Sequence, residues 1–208
     1  MMRIERIADR PDRSQRYSVT FSDGTVMRLY RQSIEDFGLY TGLELTDEEF
    51  TSLRVGAGKI SAKMRAVRIV SATNVSKADL QRRLIQKGED PQQAQEAVAW
   101  MSELNLLDDA QTAAQIVNRC AAKGYGIERA KQALYEKRIP KAYWDEVLSS
   151  YPDQSEFIKA YLVSKLGTDG DPKTVRKVVD SLIRKGHRYS DIRPVLNEIS
   201  VDAPDDGE

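Results

Sequence analysis

The sequence has one cysteine and one histidine, and that scarcity excludes several kinds of chemistry. Cys120 cannot close an internal disulfide, which fits a reducing cytoplasm as the expected location. Histidine and cysteine alone cannot supply the four ligands of a structural zinc site, so no metal and no cofactor is expected. A Ser-His-Asp arrangement would have to use His187. That residue lies in the charged run Lys185-Gly-His-Arg-Tyr189 and reads as a solvated loop histidine. Cys120 shares an apolar stripe with Ile116 and Val117 and reads as a small buried hydrophobe. No run of about eighteen apolar residues is present to span a membrane. The opening Met1-Met-Arg-Ile-Glu-Arg6 lacks the apolar core of a signal peptide. Net charge is missing too: 32 Lys and Arg balance 32 Asp and Glu, so charge alone does not point to nucleic acid.

Aromatic residues are sparse, with four Phe and two Trp, while 31% of residues are charged and 40% hydrophobic. This is lean for one deep core over 208 residues but suits many small helical layers that share thin cores with their neighbours. The first segment reads differently. Tyr17-Ser-Val-Thr-Phe21 and Thr25-Val-Met-Arg-Leu-Tyr30 flank Asp23-Gly24, which predicts a β-hairpin with a tight primed turn. An isolated hairpin is marginal in water, so it must rest on the helices that follow. Thr46-Asp-Glu-Glu49 has the form of a capping box and starts a helix through Phe50 and Leu53. Gly56 and Gly58 are expected to interrupt it, and a basic helix follows from Lys59 to Val70, carrying Lys63, Arg65 and Arg68.

After Ser76 the chain repeats itself at a spacing of about fifty residues. Leu84-Ile-Gln-Lys87-Gly88, Leu134-Tyr-Glu-Lys137-Arg138 and Leu182-Ile-Arg-Lys185-Gly186 align without gaps. So do the helix faces beyond them: Ala94, Ala97 and Val98; Trp144, Val147 and Leu148; Ile192, Val195 and Leu196. Leu84, Val98, Leu134, Leu148, Leu182 and Leu196 are the expected core. Lys87-Gly88, Lys123-Gly124 and Lys185-Gly186 place a cation and then a left-handed glycine at helix ends. Asp90-Pro91 and Asp171-Pro172 read as N-caps. The predicted architecture is mainly α, built from tandem three-helix repeats after a small N-terminal β-hairpin. Residues 1–75 form the hairpin and a helical segment, 76–124 the first repeat, 125–170 the second, 171–200 a partial two-helix third, and 201–208 a disordered acidic tail.

No catalytic constellation emerges, so the chain is read as non-enzymatic. Gly56-Ala-Gly58-Lys59 is not a phosphate loop, because Leu53 stands at the required first glycine and Ile60 at the magnesium-binding Ser/Thr. Asp109 before Ala110 reads as an N-cap. What stands out is a set of regularly placed cations: Arg119, Lys123, Arg129, Lys131 and Lys137, with Arg184 and Lys185 in the last repeat. They form either a solvated, ion-paired face or a ridge for an anionic partner.

The run Leu106-Leu-Asp-Asp109, Ala113, Val117, Arg119, Lys123-Gly124, Gly126, Arg129, Leu134 and Lys137 resembles the most characteristic stretch of the RecX family. Asp79-Leu80, Leu84 and Lys87-Gly88 continue the likeness upstream, and the third repeat carries it to about Ser200. Two departures stand out. Thr73-Asn-Val-Ser76 replaces the family's Arg-x-Arg-Ser, removing two cations, and Thr112-Ala113 replaces Phe-Ala. The resemblance implies an elongated, curved array of three-helix repeats. It also implies a regulator that binds RecA and its filaments on single-stranded DNA and inhibits ATP hydrolysis, coprotease activity and strand exchange; a monomer is the simpler expectation for its oligomeric state. The listed cations are then candidates for contact with the filament. A nucleic-acid-binding helical module acting directly on DNA is the alternative, with the helix from Lys59 to Arg68 and the repeat cations tracking phosphates.

Overall fold

The computed structural model describes residues 1–166 and 171–199, so the acidic tail expected at 201–208 lies outside the described residues. The chain divides into two units, Met1–Leu107 and Asp108–Glu208.

In the first unit the expected hairpin, β2 (Arg16–Phe21) and β3 (Val26–Tyr30), is present but is half of a larger sheet. β1 (Met2–Ile7) pairs antiparallel with β2 and also with the short β4 (Glu44–Leu45), giving the order β3-β2-β1-β4. The sheet, and not the helices alone, therefore supplies the support the hairpin needs. The turn also departs from expectation. Only Gly24 has positive φ, at 83°, and Phe21 N–H bonds Thr25 O at 2.9 Å, so the loop holds three residues and ends in a left-handed glycine. Ile4, Val19, Phe21 and Leu29 line the buried face of the sheet with Leu39, Leu45, Leu53 and Ala57. Phe21 meets Phe50 edge-on at 5.1 Å.

A short α1 (Arg31–Asp36) leads to α2 (Asp47–Ala72), a single helix of 26 residues that starts at the Thr46–Glu49 capping box. The break expected at Gly56 and Gly58 does not occur, because both glycines serve packing inside the helix. A Cβ on Gly56 would overlap the Phe37 ring, and one on Gly58 the Gln93 amide. Close approach of neighbours offsets the roughly 1 kcal/mol by which glycine weakens a helix. The second half of α2 packs on α3 (Lys77–Gln86) and α4 (Pro91–Glu103) through Ala62, Ala66, Leu80, Leu84, Ala97 and Met101.

The second unit holds α5 (Asp109–Ala122), α6 (Ile127–Glu136), a 3-10 turn (Lys141–Tyr143) running into α7 (Trp144–Ser149), α8 (Ser155–Leu166), α9 (Pro172–Arg184) and α10 (Tyr189–Glu198). Ala113, Val117, Leu134 and Ile139 join α5 to α6, with Trp144, Val147 and Leu148 of α7 partly buried against them. Ile158, Leu162, Val175, Val179, Leu182, Ile192 and Leu196 form the core of α8, α9 and α10. The buried clusters thus group helices as α2-α3-α4, α5-α6-α7 and α8-α9-α10. This is one helix earlier than the sequence divides them, since the third helix of the first and of the second sequence repeat packs with the pair that follows it. Of the six expected core residues five are buried, and Leu148 is only partly so.

Helix ends follow the expected chemistry. Asp90 and Asp171 cap α4 and α9, each accepting two backbone N–H groups. α5 is capped by Asp108, which accepts Gln111 N–H at 2.9 Å. Asp109, expected as the cap, is instead the buried first residue of the helix, because its neighbour has the extended backbone a cap requires. Gly88, Gly124 and Gly186 take φ of 89°, 66° and 90° after α3, α5 and α9. In each case the following N–H reaches back five residues, as with Tyr125 N–H to Cys120 O at 3.0 Å.

Candidate partner-binding surface

Two helix ends of the second unit interlock. The loop after α5, Gly124-Tyr-Gly126, meets the loop after α9, Lys185-Gly-His-Arg188. Gly126 N–H donates to Lys185 O at 3.0 Å and Glu128 N–H to Gly186 O at 3.2 Å. A Cβ on Gly126 would overlap the Gly186 carbonyl, and one on Gly186 would overlap the Arg129 backbone. Only glycine at both positions permits this approach.

His187 sits inside this junction, 4% exposed, with Nε2 donating to Gly124 O at 3.0 Å and its ring stacked on Phe157. It is therefore not the solvated loop histidine expected from its charged neighbours, because its hydrogen-bond partner lies in a loop 63 residues away and its stacking partner on α8. Burial lowers its pKa below the ordinary imidazole value, outweighing the Gly124 bond and Asp191, which raise it. Tyr151 OH closes the same region by donating to Tyr125 O at 2.6 Å, and burial pushes its pKa up to about 12.

The junction draws several of the expected site cations together. Arg119 and Lys123 occupy the last turn and cap of α5, Arg129 the first turn of α6, and Arg184 and Lys185 the end of α9. Arg129, Lys123 and Arg119 each act electrostatically on the Cys120 thiol in the sense that lowers its pKa. Burial nevertheless raises the thiol pKa, so Cys120 is held as the neutral SH. Among the described residues Arg119, Lys123 and Arg184 have no ion-pair partner, and Arg129 has only a long one, 3.5 Å to Glu136. Lys185 lies over the rings of Tyr125 and Tyr161 at 5.8 and 5.3 Å.

The remaining two cations separate from this group. Lys131 pairs with Glu128 at 3.0 Å, and the same carboxylate takes Arg188 at 2.6 Å. The sequence reading missed Arg188, since its partner lies 60 residues away. Lys137 caps the far end of the ten-residue α6, about 15 Å along the helix from Ile127. It is engaged there.

The basic half of α2 is committed internally. Lys59 pairs with Glu96 at 3.0 Å, Arg65 with buried Glu89 at 2.7 Å, Lys63 lies over Trp100, and Arg68 donates to Ser14 O. Among the described residues no cluster of three or more His, Cys, Asp or Glu could hold a metal ion, and no helix is long and apolar enough to cross a membrane.

The candidate surface is thus a basic junction between two helix ends, held by close glycine contacts and two backbone hydrogen bonds. Comparisons with known proteins sharpen this. No protein-family model matches the chain. It is 26% identical over 202 residues to the regulatory protein RecX of Clostridioides difficile, covering 94% of this chain and 95% of that protein. It is 30% identical over 142 residues to the regulatory protein RecX of Chlorobaculum tepidum, covering 66% of this chain and 88% of that one. A solved structure of a regulatory protein RecX superposes with a TM-score of 0.62 at 20% identity, covering 96% of this chain and 99% of the other. That of RecX from Lactobacillus salivarius gives 0.59 at 18% identity, covering 69% and 97%. The chain belongs to the RecX family of regulatory proteins.

Proposed function

We propose that this protein regulates homologous recombination by binding RecA and its filaments on single-stranded DNA. In this reading it inhibits ATP hydrolysis, coprotease activity and strand exchange, and acts as a cytoplasmic monomer by binding rather than catalysis. Membership of a family of regulatory proteins is the observation that carries the reading. The basic junction supports it, because Arg119, Lys123 and Arg184 are exposed and not ion-paired within the described residues. Unpaired cations on a rigid frame can meet acidic side chains of a partner without first breaking internal pairs. Lys131 and Lys137 are weaker members of the proposed contact set, since each is already engaged. Successive helical layers can engage successive subunits of a polymer, so that a second contact becomes intramolecular and tightens binding. The alternative of a DNA-binding module resting on the basic half of α2 is disfavoured, because Lys59, Lys63, Arg65 and Arg68 all have internal partners.

Cosedimentation tests the reading. The protein is expected to pellet with RecA–single-stranded DNA filaments and to bind the same DNA more weakly without RecA. Equal binding to both, or none to the filament, would overturn it.

A further inference from the structure

The loops after α3 and α9 are sister segments of the repeat, with Gly88 and Gly186 at φ of 89° and 90°. They differ in what fills them. Lys185 O and Gly186 O accept the Gly126 and Glu128 N–H groups, and the Arg129 backbone closes on Gly186. At the first loop nothing lies within 4 Å of a Cβ on Gly88, and no described residue donates to Gly88 O. Where the sister loop meets protein, this one lines a cavity of about 440 Å³, walled also by β3, α2 and α4.

Two carboxylates line the cavity with capacity unused. Glu89 is only 8% exposed, and both its donors, Ser61 Oγ at 3.0 Å and Arg65 Nε at 2.7 Å, take the same oxygen, Oε1. Its Oε2 has no partner among the described residues. On a side chain this buried, the cavity is where a donor can reach that oxygen. Asp90 likewise accepts Gln92 and Gln93 N–H on Oδ1 alone, leaving Oδ2. Arg28 and Arg54 line the exposed side. Neither has a hydrogen bond or ion pair among the described residues, and Arg28 acts only at longer range, on Asp12. Leu29 and Ala57 supply a buried apolar wall.

We propose that this cavity receives an arginine side chain of a partner protein, with an acidic neighbour in the partner's sequence meeting Arg28 and Arg54. A guanidinium has five N–H donors in one plane and no acceptor, which suits Gly88 O, Glu89 Oε2 and Asp90 Oδ2. The loop already holds one guanidinium in this manner: Arg65 Nη1 donates to Lys87 O at 2.9 Å while its Nε meets Glu89. The methylene stem of the incoming arginine covers Leu29 and Ala57. Charge calls for the acidic neighbour. Arg65 neutralises Glu89, so Asp90 faces both Arg28 and Arg54, and a lone arginine would enter against a net positive charge. An anchor side chain in a pocket with a polar rim is the form that carries most of the energy of a protein interface. The proposal concerns the first unit and depends neither on the basic junction nor on RecA.

The test titrates the isotope-labelled full-length protein with the peptide acetyl-Arg-Glu-amide and follows backbone amide shifts by nuclear magnetic resonance. Saturable shifts are expected at Gly88 and Glu89 and not at Gly124 or Gly186. Citrulline in place of the peptide's arginine keeps the shape without the charge and weakens binding about tenfold or more. Asp90→Asn retains a good helix cap, so the melting temperature holds while binding weakens about tenfold. Arg54→Gln weakens the Arg-Glu peptide about threefold and leaves acetyl-Arg-Gln-amide unchanged, since only the first has an acid to lose. Absence of saturable shifts at Gly88 and Glu89, or equal binding of the citrulline peptide, overturns the proposal. So does free arginine binding as tightly as the peptide, which would make the cavity an amino-acid site.

Discussion

Gly186→Ala and Gly88→Ala form a pair of perturbations that separates two costs usually measured together. Both glycines follow the same sequence motif, and their φ values, 90° and 89°, are nearly identical. Placing an L side chain at such a φ costs about 1–2 kcal/mol in either variant. Space around them differs. Nothing lies within 4 Å of a Cβ on Gly88, whereas a Cβ on Gly186 would overlap the Arg129 backbone. Backbone cannot swing aside as a side chain can, so overpacking adds about 1–3 kcal/mol for Gly186→Ala. The expected total is about 2–5 kcal/mol against about 1–2 kcal/mol. Urea unfolding followed by far-ultraviolet circular dichroism measures the totals. Amide hydrogen exchange locates them, because Gly126 and Glu128 N–H bond Lys185 and Gly186 carbonyls across the junction. Those two amides should lose protection in Gly186→Ala and keep it in Gly88→Ala. Equal destabilisation by the two variants, with Gly126 and Glu128 still protected, would refute the claim that the glycines lock the junction.

The pH dependence of the second unit carries the signature of His187. Its pKa is lowered by burial, so the unfolded chain binds the proton more readily, and stability present above about pH 6.5 is lost as pH falls through the folded value. His187→Gln should flatten the stability profile between about pH 7 and 5. An unchanged slope there would show that the buried imidazole is not its source. The carboxylates with lowered pKa, Glu128 among them, titrate below this window. Leu134→Ala, at a fully buried position between α5 and α6, should cost about 2–5 kcal/mol, and Leu148→Ala, only partly buried, clearly less. Denaturant midpoints decide, and a larger loss at Leu148 would mean that the α5-α6-α7 core has been misassigned.

Local chemistry was legible in the sequence, and distant partnership was not. The capping box at Thr46, the Asp-Pro starts at Asp90 and Asp171, and the left-handed glycines at 88, 124 and 186 follow from residues within one turn of each other. The buried leucines at 84, 134 and 182 follow from the repeat register. β1 was missed because only Ile4 along it is fully buried, and a bulge between Ile4 and Arg6 breaks the alternation. Its pairing with β4 joins residues more than forty apart. Gly56 and Gly58 suggested a break because their purpose lies in Phe37 and Gln93, on other elements. The candidate surface shows the same division. The cations Arg119, Lys123 and Arg129 could be picked out by spacing, and the Glu128–Lys131 pair is local at i,i+3, but nothing local shows that Arg188 would share Glu128 from 60 residues away. The burial of His187 depends on Gly124 and Phe157, and a charged local sequence masked it.

The central claim is regulation of RecA through the basic junction. Its most direct test is single-stranded-DNA-dependent ATP hydrolysis by RecA of the same organism, measured against rising amounts of the protein and of an Arg119→Ala/Lys123→Ala/Arg129→Ala variant. The account predicts inhibition by the native protein at ratios to RecA well below one. The folded variant should need about tenfold more protein for the same effect, the loss expected if the three exposed cations together contribute about 1.4 kcal/mol. Undiminished inhibition by the variant would contradict the assignment of the surface, and no inhibition by the folded native protein would contradict the function itself.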